Sequence, residues 1–266
     1  MRKLSFLAVT TVCQIILAQE SPSEHHYIPH ALVARANGKT TIVANDPRPL
    51  KQVVDALVEE YGWTVDFEDP QYRAKMDLQD ATSPTWRSEH PGEPGISTPA
   101  GARFVSTYPE KDPGSSGVLD ERSVLNKVVA DYHATSNPGQ FAVYDEGSGR
   151  FALVGQMARS DGGRMEGTSP ILDTRITLPM QERSLQQTIE LILENVSARS
   201  GRPIMLSSAP ANVMFKARIT LGGEDKRARE LLRQALDQSG LVIRWACLYE
   251  PTFGKYHFNA IVVPGT

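Results

Sequence analysis

The sequence predicts an α+β protein in which one pattern, β-α-β-β-α-β-β, is written twice. Three observations predict it. First, four segments carry apolar residues at three- and four-residue steps: Leu50–Tyr61, Val124–Tyr132, Leu185–Val196 and Ala228–Leu236. Such stripes belong to helices that lie on a sheet. Second, short β-branched or alternating runs bounded by turn residues flank those segments. Third, the elements fall in the same order on both sides of a glycine-rich stretch, which favours duplication over coincidence.

The chain of 266 residues is long enough for one large domain or two small ones. At 40% hydrophobic and 22% charged it has a globular composition. A net charge of −3 offers no basic footprint for nucleic acid. Residues 1–19 resemble an export signal: Arg2 and Lys3, then Leu4–Ala18 without a charge. That stretch is shorter than a spanning helix needs, so the expectation is cleavage near Ala18 and no integral span afterwards. Retention as an uncleaved anchor is the alternative. Cleavage removes Cys13, leaves Cys247 as the only thiol and excludes an intramolecular disulfide.

Residues 20–38 are expected to form a flexible mature N-terminus. His25, His26 and His30 lie in it, and no Asp or Cys ligand completes a metal site of structural spacing there. The first repeat spans 39–158. Thr41–Val43 reads as a strand, Asn45–Pro49 as a turn and helix start, and Leu50, Val54, Leu57 and Val58 as the helix stripe. Gly62 ends the helix. Trp63, Val65 and Phe67 alternate with Thr64, Asp66 and Glu68, the mark of a half-buried strand. Arg103–Tyr108, the Val124–Tyr132 helix and the hairpin Phe141–Tyr144 with Phe151–Val154 complete the unit.

The second repeat, 171–266, gives the same text. Ile176–Leu178 is the strand, Pro179–Ser184 the turn and cap, and Leu185, Ile189, Ile192 and Leu193 the stripe ended by Gly201. Setting Leu50 on Leu185 puts Leu57 on Ile192 and Arg48 on Arg183. Phe215–Leu221, the Ala228–Leu236 helix and the hairpin Leu241–Tyr249 with Tyr256–Val263 follow. Two stretches break the symmetry. Ala74–Gly101, rich in proline and glycine and holding Trp86, is expected to be a flexible inserted loop. Residues 159–170 form a glycine-rich linker, and its composition predicts two independent domains.

At Ile176-Thr-Leu-Pro-Met-Gln-Glu-Arg-Ser-Leu185, continued by Pro203–Ser207, Ala217–Leu221 and Gly240–Arg244, the second repeat resembles the secretin and TonB short N-terminal domain. The resemblance is clearest over 171–266. Residues 39–157 resemble it more weakly and depart from it by the insertion. It implies a sandwich of two helices and small sheets in the periplasm of a two-membrane bacterium, where such domains bind other proteins at secretins and receptors. It carries over no catalytic residue, no metal site and no cofactor. The barrel that follows the domain in secretins has no counterpart before Thr266.

The sequence holds no nucleophile elbow, zinc-protease helix or phosphate loop. Gly114-Ser115-Ser116-Gly117 reads as a turn before a helix beginning near Asp120. His133 reads as a solvated histidine at a helix C-terminus. Asp120-Glu121 and Glu224-Asp225 read as acids that precede or open helices, and Trp245 and Cys247 as core. The sequence therefore points to an exported, non-catalytic interaction module of the cell envelope, whose partner is another envelope protein such as a secretin or receptor. The alternatives are a secreted hydrolase using His90, Glu89 and Asp120, or a small-ligand or cell-wall-binding protein.

Overall fold

The computed structural model describes residues 31–45, 47–110 and 119–263. The export signal, His25, His26, His30 and Gly114–Gly117 lie outside the described residues. The fold is mixed α+β. The first half consists of β1 (Leu32–Ala36), β2 (Lys39–Ala44), α1 (Pro49–Tyr61), β3 (Thr64–Glu68), β4 (Leu78–Asp80), α2 (Pro84–Glu89), β5 (Ser97–Pro99), β6 (Phe104–Pro109), α3 (Glu121–His133), β7 (Gln140–Gly147) and β8 (Arg150–Arg159). After β9 (Met165–Gly167) come β10 (Arg175–Ser184), α4 (Leu185–Ser200), β11 (Ile204–Ser208), α5 (Ala211–Met214), β12 (Arg218–Arg227), α6 (Ala228–Ser239), β13 (Ile243–Glu250) and β14 (Lys255–Val262).

The two halves share a pairing scheme. In the first, β2 pairs antiparallel with β6, β3 parallel with β8, and β7 antiparallel with β8. In the second, β10 pairs antiparallel with β12, β11 parallel with β14, and β13 antiparallel with β14. The aligned positions Leu57 and Ile192 are both 0% exposed.

The halves are not separate domains. One central sheet runs through both, in the order β11-β14-β13-β3-β8-β7 with β9 against β8. β13 and β3 pair in parallel, with Ala246 opposite Phe67 and Cys247 opposite Glu68. Successive strand residues point to opposite faces, and the core residues divide accordingly. Val65, Phe67 and Ala246 pack with α1 and α3 on one face, whereas Trp245, Cys247 and Phe258 pack with α4 and α6 on the other. Each helix pair also contacts its own outer sheet, through Ile42 and Phe104 in one half and Ile176 and Ile219 in the other. The linker is tied into the central sheet, because β8 extends to Arg159 and β9 folds back on it. Composition could not show this, since the contacts that join the halves lie far apart in the chain.

Other expectations need correction. Residues 32–36, expected in a flexible terminus, form β1, joined to β2 by Asn37 and Gly38 at φ 53 and 69. An Asn-Gly turn with both residues at positive φ matches the twist of a hairpin. The insertion is an ordered excursion. Asp77 and Thr98 are buried in it, Arg159 pairs with Asp77, and the Ser97 amide donates to Thr252 Oγ1 at 2.7 Å. Ser83 caps α2 by accepting from the Trp86 amide.

In the second half, β10 continues through Pro179–Ser184 instead of turning there. Register shifts on either side of Leu178 accommodate the proline. Gly222 lies so close to this strand that a Cβ would sit 2.4 Å from the Met180 Cα. Phe215 ends α5, so the following strand begins at Arg218 and carries Glu224 and Asp225 near its end, just before α6 begins at Ala228. Asp225, at φ 46, forms an ion pair with Arg175.

Candidate functional site

The densest polar chemistry lies at the junction of β13 and β3. Asp66 and Glu68 alternate along β3 with Val65 and Phe67, as the sequence shows. Their face is nevertheless covered by the second half, and both are 0% exposed. Arg150 Nη1 donates to Asp66 Oδ2 at 2.9 Å and its Nη2 to the Ile243 carbonyl at 2.8 Å. The Trp245 amide donates to Asp66 Oδ1 at 2.7 Å. Glu68 pairs with Arg229 of α6 and accepts from the Leu172 amide at 3.2 Å. Asp69 accepts from Arg48 Nε at 2.7 Å and from the Tyr249 amide at 3.1 Å, while its own amide donates to the Cys247 carbonyl. Arg48 also donates to the Tyr249 carbonyl at 2.6 Å.

Burial pushes Asp66, Glu68 and Asp69 up from the usual carboxylate range, opposed by their arginines. On Arg229 burial disfavours the charge, but Glu68, Asp173 and Glu146 outweigh it and its pKa rises. These groups are shut off from solvent and engaged with one another. They fix the register and orientation of the two halves, a role for which buried ion pairs suit better than for net stability. No local sequence signal reveals them, because Asp66 and Arg150 are 84 residues apart and Glu68 and Arg229 161.

The rim of this junction opens into a polar dish of about 710 Å3 between β7 and the start of α6, lined by Asp145, Glu146, Glu230, Arg227, Arg229 and Arg233 among others. Three carboxylates face three guanidinium groups, so the dish carries no net charge with which to gather an anion. Glu146 Oε1 and Arg229 Nη1 lie 3.7 Å apart, each buried without a hydrogen bond.

The three residues that the sequence offered for hydrolysis have separate partners. His90 stacks on Trp86 at 4.5 Å, Glu89 is exposed, and Asp120 caps α3 by accepting from the Ser123 amide. No hydrogen bond or ion pair joins these three among the described residues. His133 lies at the end of α3, as expected, but its ring is held by the backbone rather than left to solvent. Its Nε2 accepts from the Phe141 amide at 2.9 Å, and burial lowers its pKa. Cys247 is 0% exposed, and burial, with Glu68 and Asp69, pushes its thiol well up. Such a thiol is unreactive. Trp245 is core, stacked on Phe258. Glu121 is held at about 7 by burial and by Asp120. Among the described residues no group of three or more His, Cys, Asp or Glu is placed to hold a metal, and no helix is long and apolar enough to cross a membrane.

Among the described residues, no strand pairs with the outer side of β7 or of β11 in the central sheet. Backbone N–H and C=O groups of one strand residue point to the same side, alternating along the chain. The Phe141 amide leaves the ladder towards His133, so the N–H and C=O of Val143 also face outward. On β11 the amide and carbonyl of Ile204 both bond Ser197 Oγ, so those of Leu206 face outward. Met205 beside it is 48% exposed. Comparison with family models, with curated proteins and with solved structures finds no match for this chain.

Proposed function

We propose that this chain is a non-catalytic protein–protein interaction module, exported to the bacterial cell envelope as an accessory to a secretin or another outer-membrane assembly. One observation carries the interaction reading: an edge strand, β11, offers the outward N–H and C=O of Leu206 beside the half-exposed thioether of Met205. An extended segment of a partner adds to such an edge through main-chain hydrogen bonds and gains specificity from neighbouring side chains. The charged residues at the centre of the molecule support the same reading, because they are consumed in joining the halves. Export rests on Arg2, Lys3 and the uncharged run Leu4–Ala18.

The test is crosslinking in the intact envelope with a photoreactive group at Met205. A discrete adduct lost in Leu206→Pro, whose fold is checked by thermal unfolding, supports the reading. Adducts indifferent to the edge, or a protein that stays in the cytoplasm with residues 1–19 present, contradict it.

A further inference from the structure

We infer that the protein associates with further copies of itself, head to tail, by parallel pairing of β7 of one molecule with β11 of the next. This deepens the interaction reading by naming one partner of the β11 edge.

The argument starts from the junction inside the molecule. The second half presents its strands in the order β11, β14, β13, and the first half in the equivalent order β3, β8, β7. β13 runs antiparallel to β14 and β11 parallel to it, while β13 runs parallel to β3. Strand directions therefore reverse from one half to the next, and the helices change face, as the two core clusters show. The operation that relates the halves is a half-turn about the line across the strands, plus a shift of three strands. Applied once more, it restores the starting orientation, and it lays a second molecule's β11 beside β7, again in parallel. The two open edges are thus the two ends of one repeated junction. They are complementary to each other and not to themselves, the arrangement that gives open chains rather than closed dimers.

The hydrogen-bonding groups agree with this. The helix-ending glycines Gly62 and Gly201 set Val65 on Ile204, so Phe67 corresponds to Leu206; beyond it β11 holds one extra residue, and its pairing with β14 sets Glu68 on Ser208. Phe151 pairs with Asp145 and Tyr256 with Tyr249, which sets Cys247 on Val143 and Trp245 on Phe141. Within the molecule the Trp245 amide is taken by a side chain, Asp66, and the Cys247 carbonyl by the backbone after β3. At the open edge the Phe141 amide is likewise taken by a side chain, His133, and Val143 is left facing out. The register Ala246 to Phe67 transfers to Ala142 opposite Leu206, and Cys247 to Glu68 to Val143 beside the extra residue of β11 at Ser207 and Ser208. Met205 stands where the internal junction has Asp66, and Ser207 and Ser208 together where it has Glu68. The junction between molecules therefore lacks the ionic lock and is reversible, growing with concentration.

The experiment uses the chain from residue 20 onward, with mass followed by light scattering across a concentration series. The unchanged chain is expected to rise in mean mass without a plateau at the dimer. Val143→Pro and Leu206→Pro each remove one outward amide at an edge that tolerates proline. Each variant alone is expected to stay monomeric. Mixed in equal amounts they are expected to form a dimer and nothing larger, since each retains the edge the other has lost. Should a proline variant unfold, Val143→Cys together with Ser207→Cys, oxidised, is expected to give a covalent ladder that neither single variant gives. A chain that is monomeric at every concentration, a plateau at the dimer, or a mixture no heavier than its parts would overturn the inference. The crosslinking in the envelope, read separately, would still stand.

Discussion

β3 and β11 hold the same place in the two halves, each following a helix closed by a glycine in the left-handed region and each pairing in parallel with a strand of its own half's hairpin. Their chemistry differs. β3 carries Asp66 and Glu68, with Asp69 next to it, all buried and all bound to arginines. β11 carries Met205, Ser207 and Ser208 in their stead, exposed. The difference follows from position: β3 has a neighbour, β13, supplied by the same chain, whereas no strand among the described residues pairs with the outer side of β11. Charged groups buried along a permanent junction select one register, since a slip leaves charges unpaired at a cost of several kcal/mol. An edge without a permanent neighbour cannot carry such groups buried, and it presents a flexible apolar side chain and small hydroxyls.

The comparison breaks most visibly at the carboxylates. Asp66→Ala leaves Arg150 buried without its counter-ion and the Trp245 amide without an acceptor. It should cost about 3–5 kcal/mol of unfolding free energy. Met205→Ala at the matching position should change stability by less than about 0.5 kcal/mol, as exposed sites do. Urea titrations of the two variants decide the point, and equal losses would show that β3 is no more committed than β11.

A second contrast sharpens the equivalence of the halves. Leu57→Ala and Ile192→Ala empty corresponding, fully buried positions, and each should cost about 2–5 kcal/mol. If the two halves melt as one unit, both changes move the same single transition. Smaller still is the capping of the paired helices. Ser184 caps α4 in a reciprocal box with Gln187, whereas α1 starts from Arg48 in the left-handed region with Pro49 behind it and has no side-chain cap. Ser184→Ala should therefore cost about 1 kcal/mol, measurable as a lowered urea midpoint.

Another expected effect is one of pH. Burial and Asp120 hold Glu121 at about 7, above the ordinary range near 4.5. A raised carboxyl favours the protonated folded state, so its contribution is most favourable at acid pH and is lost as pH rises between the two values. Glu121→Gln should therefore leave stability near pH 4 unchanged and raise it near pH 8. An unchanged difference between variant and parent across that range would refute the assignment.

The helices and their buried faces were legible because a 3.6-residue stripe is a local property: Leu57, Ile192, Val128 and Leu232 are all buried as their spacing requires. Asn37-Gly38 carries a hairpin signal of its own, outweighed in the sequence by the polar stretch before it. The junction was not legible. Asp66 and Glu68 alternate with apolar residues as a solvent-facing row does, and only distant partners, Arg150 and Arg229, show that they are inside. The order of the insertion was hidden for a similar reason, since it comes from Arg48, Arg159 and Thr252 rather than from any period of its own.

The central claim is that β13 and β3 fuse the two halves into one folded unit. Scanning calorimetry of the chain from residue 20 onward tests it most directly. The shared sheet predicts one transition whose calorimetric and van't Hoff enthalpies agree, lowered as a whole by Asp66→Ala. Two separable transitions, with Asp66→Ala shifting only one of them, would contradict it.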